Sequence, residues 1–106
     1  MSAAVRFATS AVEDLERLMD FLLERARSEE DLEHAMQMLV RLDEMITGHL
    51  SAAPFSYRKA GDGRLSMRRE LIIASGATGY VVLYEIESPV SVVVLAVRHQ
   101  REDDYH

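Results

Sequence analysis

The chain has no cysteine and no tryptophan, and only one lysine and two prolines, in 106 residues. Without cysteine there can be no disulfide, no thiolate metal site and no cysteine nucleophile, a usage that fits a reducing compartment. No apolar run approaches the roughly 18 residues that span a bilayer, and the N-terminus lacks the apolar core of a signal peptide. The expectation is a cytoplasmic protein with no membrane partner. The four histidines, His34, His49, His99 and His106, are not at the spacing of a metal-binding helix face, and no acidic partner motif accompanies them. Neither GxxxxGK[ST] nor GxGxxG occurs, so Gly61-Asp62-Gly63 reads as a turn, and no G-x-S-x-G elbow is present. No cofactor is expected. There are no repeats and no low-complexity segments, and the length suits one domain, residues 1–106.

What is present is charge, unevenly spread. The formal net charge is −6, and residues 1–50 hold eleven acids against five arginines. Such a balance disfavours a general nucleic-acid binder, because phosphate neutralisation dominates that affinity. Eleven of the twelve basic residues are arginine, the side chain that makes planar, bidentate contacts to carboxylate or phosphate.

Apolar periodicity orders the chain. Ala3–Ala8 reads as a short strand, with Val5 and Phe7 on one face. Ser10-Ala-Val-Glu13 is a capping box and predicts a helix start. Leu15, Leu18, Met19, Leu22 and Ala26 follow at helical spacing, with Asp14, Glu16, Arg17 and Asp20 on the water side. Ser28, followed by Glu29, Glu30 and Asp31, predicts a second start, with acids at the positive end of the helix. Its apolar face is Leu32, Ala35, Met36, Leu39, Leu42 and Ile46, and Gly48 and Pro54 should end it. A link this short implies an antiparallel helix hairpin.

Residues 51–64 read as one extended loop. Three strand-like runs follow, at Leu65–Ile73, Tyr80–Ile86 and Val90–Val97. The last is almost continuously apolar, as in a strand covered on both faces and central in its sheet. The predicted class is α+β with order β-α-α-β-β-β: an antiparallel helix hairpin packed on one face of a small, mainly antiparallel sheet.

Three groups of residues could carry function. The methionines of the hairpin seam, Met19 on the first helix and Met36, Met38 and Met45 on the second, could be core or an adaptable groove for a partner, since methionine repacks easily. Adjacent strand residues Arg68 and Arg69 point to opposite faces, so one of them can face away from the helices. Beyond Val97 the chain turns polar, and Arg98, His99, Arg101, Tyr105 and His106 could meet Arg68 or Arg69 in one cleft. Arginine would supply charge there, and histidine or tyrosine proton transfer on a phosphodiester. The alternative is a solvated ending that includes Glu102, Asp103 and Asp104.

The element order, with RRELII, GYVVLYEI and VVVLAVRHQREDDYH, resembles the RelE/ParE superfamily of bacterial type II toxins, most strongly over residues 66–106. The resemblance implies a small cytoplasmic toxin neutralised by a cognate antitoxin, in a toxin–antitoxin hetero-oligomer of the kind linked to plasmid stabilisation and growth inhibition. Leu15, Leu18, Leu22, Met36, Met38 and Leu39 would then meet the antitoxin. Two branches differ in target: RelE-like members cleave messenger RNA on the ribosome, and ParE-like members inhibit DNA gyrase. In the nuclease branch Arg68, Arg69, Arg98, Arg101, Tyr105 and His106 would be the catalytic candidates. That branch carries a basic residue directly after the Gly-Tyr of the middle strand, where this chain has Val81, and its C-terminal stretch is basic rather than acidic. The expectation is therefore ParE-like, with gyrase as target and Arg69, Arg98, His99, Arg101 and Tyr105 facing it. The alternatives are a ribosome-dependent nuclease and a degenerate member that only binds antitoxin.

Overall fold

A computed structural model describes residues 2–60, 67–75 and 78–100. Its elements run β1 (Ala4–Phe7), α1 (Thr9–Arg25), α2 (Glu29–Ala52), β2 (Arg58–Lys59), β3 (Arg68–Ser75), β4 (Thr78–Ser88) and β5 (Ser91–His99). The five strands form one sheet in the order β1-β5-β4-β3-β2, and the two helices cover one face. The α+β, two-layer architecture is the one its periodicities predict. Only β1 pairs in parallel, with Ala4 opposite Ser91 and Phe7 opposite Val94; all other pairs are antiparallel.

The core follows from strand alternation. Leu71 and Ile73 of β3, Tyr80, Val82, Tyr84 and Ile86 of β4, and Val92, Val94 and Val97 of β5 are buried beneath Leu18, Leu42, Ile46 and Leu50 of the helices. Burying each such side chain is worth roughly 1.5–3 kcal/mol. The interior position of Val92–Val97 is as read from its apolar run: β5 lies between β1 and β4, although β4 takes the middle place. The 24 residues of α2 extend about 36 Å at 1.5 Å per residue. Its apolar face is buried at Ala35, Leu42, Ile46 and Leu50, whereas Leu32 and Met36, expected on the same face, are exposed.

Helix boundaries differ from the sequence reading in instructive ways. Ser28 caps α2 as expected, its Oγ accepting from the Asp31 amide at 3.1 Å. Ser10 does not cap α1. The helix begins one residue earlier, at Thr9, behind Ala8, without a side-chain cap. The Ser10 hydroxyl instead donates to the Leu95 carbonyl at 2.6 Å. Gly48 lies inside α2, which runs on to Ala52, two residues before Pro54. The expected loop at 51–64 contains a short edge strand, β2, held to β3 by an Arg58–Glu70 ion pair at 3.0 Å.

Asp14 was expected to face water and is buried. Its position is explained by β5. A register shift between Leu83 and Tyr84 leaves Leu95 as an extra residue in β5. Strand β1 has ended by then, its last tie being the Ala8 amide on the Val94 carbonyl at 2.9 Å. The outer edge of β5 beyond that point is completed by α1: Ser10 takes the Leu95 carbonyl, and Asp14 Oδ2 accepts from the Val97 amide at 2.9 Å. Arg17 pairs with the other carboxylate oxygen of Asp14.

Candidate functional site

The expected hairpin seam does not form one surface. Leu18 is core, and Leu22 is half-buried on α1. Leu15 and Leu39 line an open groove of about 630 Å³ between α1 and α2, together with Phe7, Val12, Met19 and Val40. Val12 and Val40 stand 41% and 59% exposed there, so the groove floor and walls are apolar and uncovered. Its polar lining consists of Glu16, Asp20 and Asp43, with no basic residue. Met36 lies on the outer side of α2, beside Gln37, Val40, Arg41 and Glu44. Met38 is on the sheet side, in a smaller cavity of about 260 Å³ with His34, Arg41, Met45 and Tyr80. The Tyr80 hydroxyl reaches the Met38 sulfur at 3.8 Å. Val12 and Val40 were absent from the sequence-based set, although Val12, Leu15 and Met19 are at i, i+3 and i+7, a signal that could have found the α1 wall.

The face of the sheet away from the helices carries three cross-strand ion pairs: Arg6–Glu87 at 2.6 Å, Arg58–Glu70 at 3.0 Å and Arg68–Glu85 at 3.2 Å. The hydrogen bonds from Arg6 and then from the Ser91 hydroxyl hold the Glu87 carboxyl below its usual range. Ile72, Val81, Leu83, Val93 and Ala96 are apolar residues of this face by register, and Val93 is buried between Arg6 and Glu85.

Arg69 behaves differently from its neighbour. It is opposite Tyr84 on the helix side. Its Nη1 donates to the carbonyls of Phe55 at 3.2 Å and Tyr57 at 2.8 Å, and its guanidinium lies 5.6 Å from the centre of the Phe55 ring. Tyr84, with no exposed surface, donates to the Pro54 carbonyl at 2.5 Å. Burial pushes the Tyr84 hydroxyl up to about 12, with the Arg69 charge opposing the shift and Tyr57 adding to it. Residues 54–57 are thus stapled to the sheet by two side chains from β3 and β4.

The cleft expected to join Arg98 to Arg68 or Arg69 is not assembled. Arg68 is opposite Glu85 of β4, whereas Arg98 is opposite Val81. Four β4 residues separate those positions, about 13 Å along the strand, with the width of the sheet to be added. The reason is direction: two antiparallel reversals bring the end of β5 beside the end of β3, not its start. Arg98 is exposed on the open face, and His99 is edge-on to Tyr80 with ring centres 5.3 Å apart. Gly79 sits at this junction, where an added Cβ would come within 2.7 Å of both the Ile73 carbonyl and the Gln100 side-chain oxygen. Arg101, Tyr105 and His106 lie outside the described residues. No cluster of three or more metal-ligating side chains occurs among the described residues, and no helix among them is long and apolar enough to cross a membrane.

The fold and site thus define a small α+β domain, a helix hairpin on a five-stranded, mainly antiparallel sheet, with an open apolar groove on the hairpin. The model of the ParE toxin of the type II toxin–antitoxin system parDE matches residues 5–104, and the chain belongs to that family. Among solved structures it is similar to a chain of the chromosomal ParDE toxin–antitoxin system from P. aeruginosa, with a TM-score of 0.67 and 11% identity, covering 92% of this chain and 96% of that one. No curated protein matches it in sequence.

Proposed function

We propose that the protein is a ParE-type toxin that inhibits DNA gyrase in the cytoplasm and is neutralised by a cognate antitoxin, with which it forms a hetero-oligomer. The observation that carries this reading is the family match over residues 5–104. The site geometry supports the gyrase branch over RNA cleavage. Val81, where a nuclease of the superfamily carries a base, is a half-buried apolar residue opposite Arg98. Arg68 is paired with Glu85, Arg69 is committed to two backbone carbonyls, and neither adjoins Arg98. The described residues therefore gather no arginine cluster able to stabilise a phosphodiester transition state. The antitoxin occupies the α1–α2 groove: Val12, Leu15, Met19, Leu39 and Val40 offer an apolar trough suited to an amphipathic helix. Arg98 and His99, followed by Arg101 and Tyr105, are target contacts in this reading.

Purified toxin added to gyrase should block supercoiling of relaxed plasmid, and messenger RNA in a translation extract should stay intact. Codon-positioned cuts in the message, with supercoiling unaffected, would overturn the gyrase assignment.

A further inference from the structure

A second surface stands apart from both the groove and the β5 end. Between Met45 and Gly61 the chain has no acidic residue, in a protein with 18 acids. The structure gathers His49, Phe55, Tyr57 and Lys59 from this stretch around Arg69. The ring of His49 is edge-on to Tyr57 with centres 6.3 Å apart, and Phe55, 48% exposed, lies beside the Arg69 guanidinium. Lys59 and Arg69 are direct partners across β2 and β3, so both belong to the helix side of the sheet. Like charges directly opposite one another destabilise a strand pair. The neighbouring pair, Arg58 opposite Glu70 on the other face, is complementary and bonded. Among the described residues no carboxylate pairs with Lys59 or Arg69, and the buried Nε of Arg69 has no acceptor.

The platform is also rigid. Tyr84 holds the Pro54 carbonyl, and Arg69 holds those of Phe55 and Tyr57, so little ordering remains to be done on binding. An exposed lysine, and an exposed aromatic ring beside a guanidinium that is held by backbone carbonyls but offset by no carboxylate, suit on this fixed backbone a carboxylate-bearing partner that also carries an aromatic side chain. Nucleic acid is the poorer fit, because the helical layer behind the platform, residues 9–52, holds eleven carboxylates against four arginines and repels an extended polyanion.

We infer that Lys59, Arg69 and Phe55 form a docking platform for an acidic, aromatic-containing segment of the protein that the toxin targets. This rests on the reading of the chain as a toxin with a protein target. The chemistry of the platform is tested separately from that reading. The probe is a pentapeptide of four glutamates around one tyrosine, titrated into the ¹⁵N-labelled protein. Saturable shifts should concentrate at residues 49–59 and 68–70. They should weaken at least tenfold in Lys59→Glu and in Phe55→Ala, with spectra otherwise unchanged. Shifts elsewhere only, or shifts indifferent to both substitutions, overturn the platform. So does tighter binding of a ten-residue thymidine oligonucleotide at the same amides, or equal saturation by inorganic phosphate alone. Gyrase assays then separate the two levels. If supercoiling is untouched by wild-type protein while the titration behaves as described, the gyrase target falls and the platform stands. If wild-type and Lys59→Glu inhibit gyrase equally, the platform falls as a target contact and the gyrase reading stands.

Discussion

The carboxylate of Asp14, in the second turn of α1, accepts the amide proton of Val97 at 2.9 Å, joining residues 83 apart in sequence. A helix side chain thereby finishes the edge of a strand that its neighbour strand leaves incomplete. The bond is buried, so neither partner can turn to water if the other is removed.

Replacing Asp14 with alanine should leave the Val97 amide unpaired and cost about 1–3 kcal/mol, the range for a stranded buried donor. Asparagine, which keeps one acceptor oxygen, should recover part of the loss. Urea unfolding of the three proteins measures both differences. Equal stability of the alanine variant and wild type would show that the bond contributes nothing.

Tyr84 makes stability fall with alkaline pH. Its hydroxyl titrates at about 12 in the folded protein, above the usual 10, because burial disfavours the phenolate. Between those values the unfolded chain loses this proton while the folded chain keeps it. The contribution is therefore complete below pH 10 and is lost progressively as pH rises toward 12. Tyr84→Phe should remove this component of the slope and lower stability at neutral pH by about 1 kcal/mol or somewhat more, through the lost bond to Pro54. Chemical denaturation at pH 8, 10 and 11.5 checks the sign.

In the α1–α2 groove, Val40→Glu places a fourth carboxylate among Glu16, Asp20 and Asp43 at a residue 59% exposed, where folding should be little affected. Antitoxin affinity, measured by calorimetry, should drop at least tenfold, while gyrase inhibition persists. The same substitution at Met36, on the outer side of α2, should change affinity less than twofold.

The fold was largely legible because its signals are local and periodic: the helical stripe of α2, the β-branched run of β5, the Ser28 cap. What escaped was set by distant neighbours. On a helical wheel Asp14 is one more acid beside Glu13 and Glu16, and only the extra residue Leu95 in β5 gives it a buried donor to meet. Ser10 and Glu13 have the spacing of a capping box, yet the Ser10 hydroxyl is taken by a carbonyl 85 residues on. Strand β2 is two polar residues long and has no apolar pattern to betray it. Two of the six seam residues, Leu15 and Leu39, lie in the groove, whereas Leu18 shares their spacing and lies in the core. The separation of Arg98 from Arg68 did follow from strand direction, and was missed by treating strand ends as though they converged.

The parallel pairing of β1 with β5 has a consequence for the timing of assembly. Helix α1 leans on β5 through Ser10 and Asp14, and among the described residues β1 pairs with β5 alone, with Ala4 opposite Ser91. During synthesis the first strand must wait for a partner 87 residues further on, Ser91 opposite Ala4, before its ladder can close, and pairings of such long sequence separation form slowly. The bonds that α1 makes through Ser10 and Asp14 wait on the same strand.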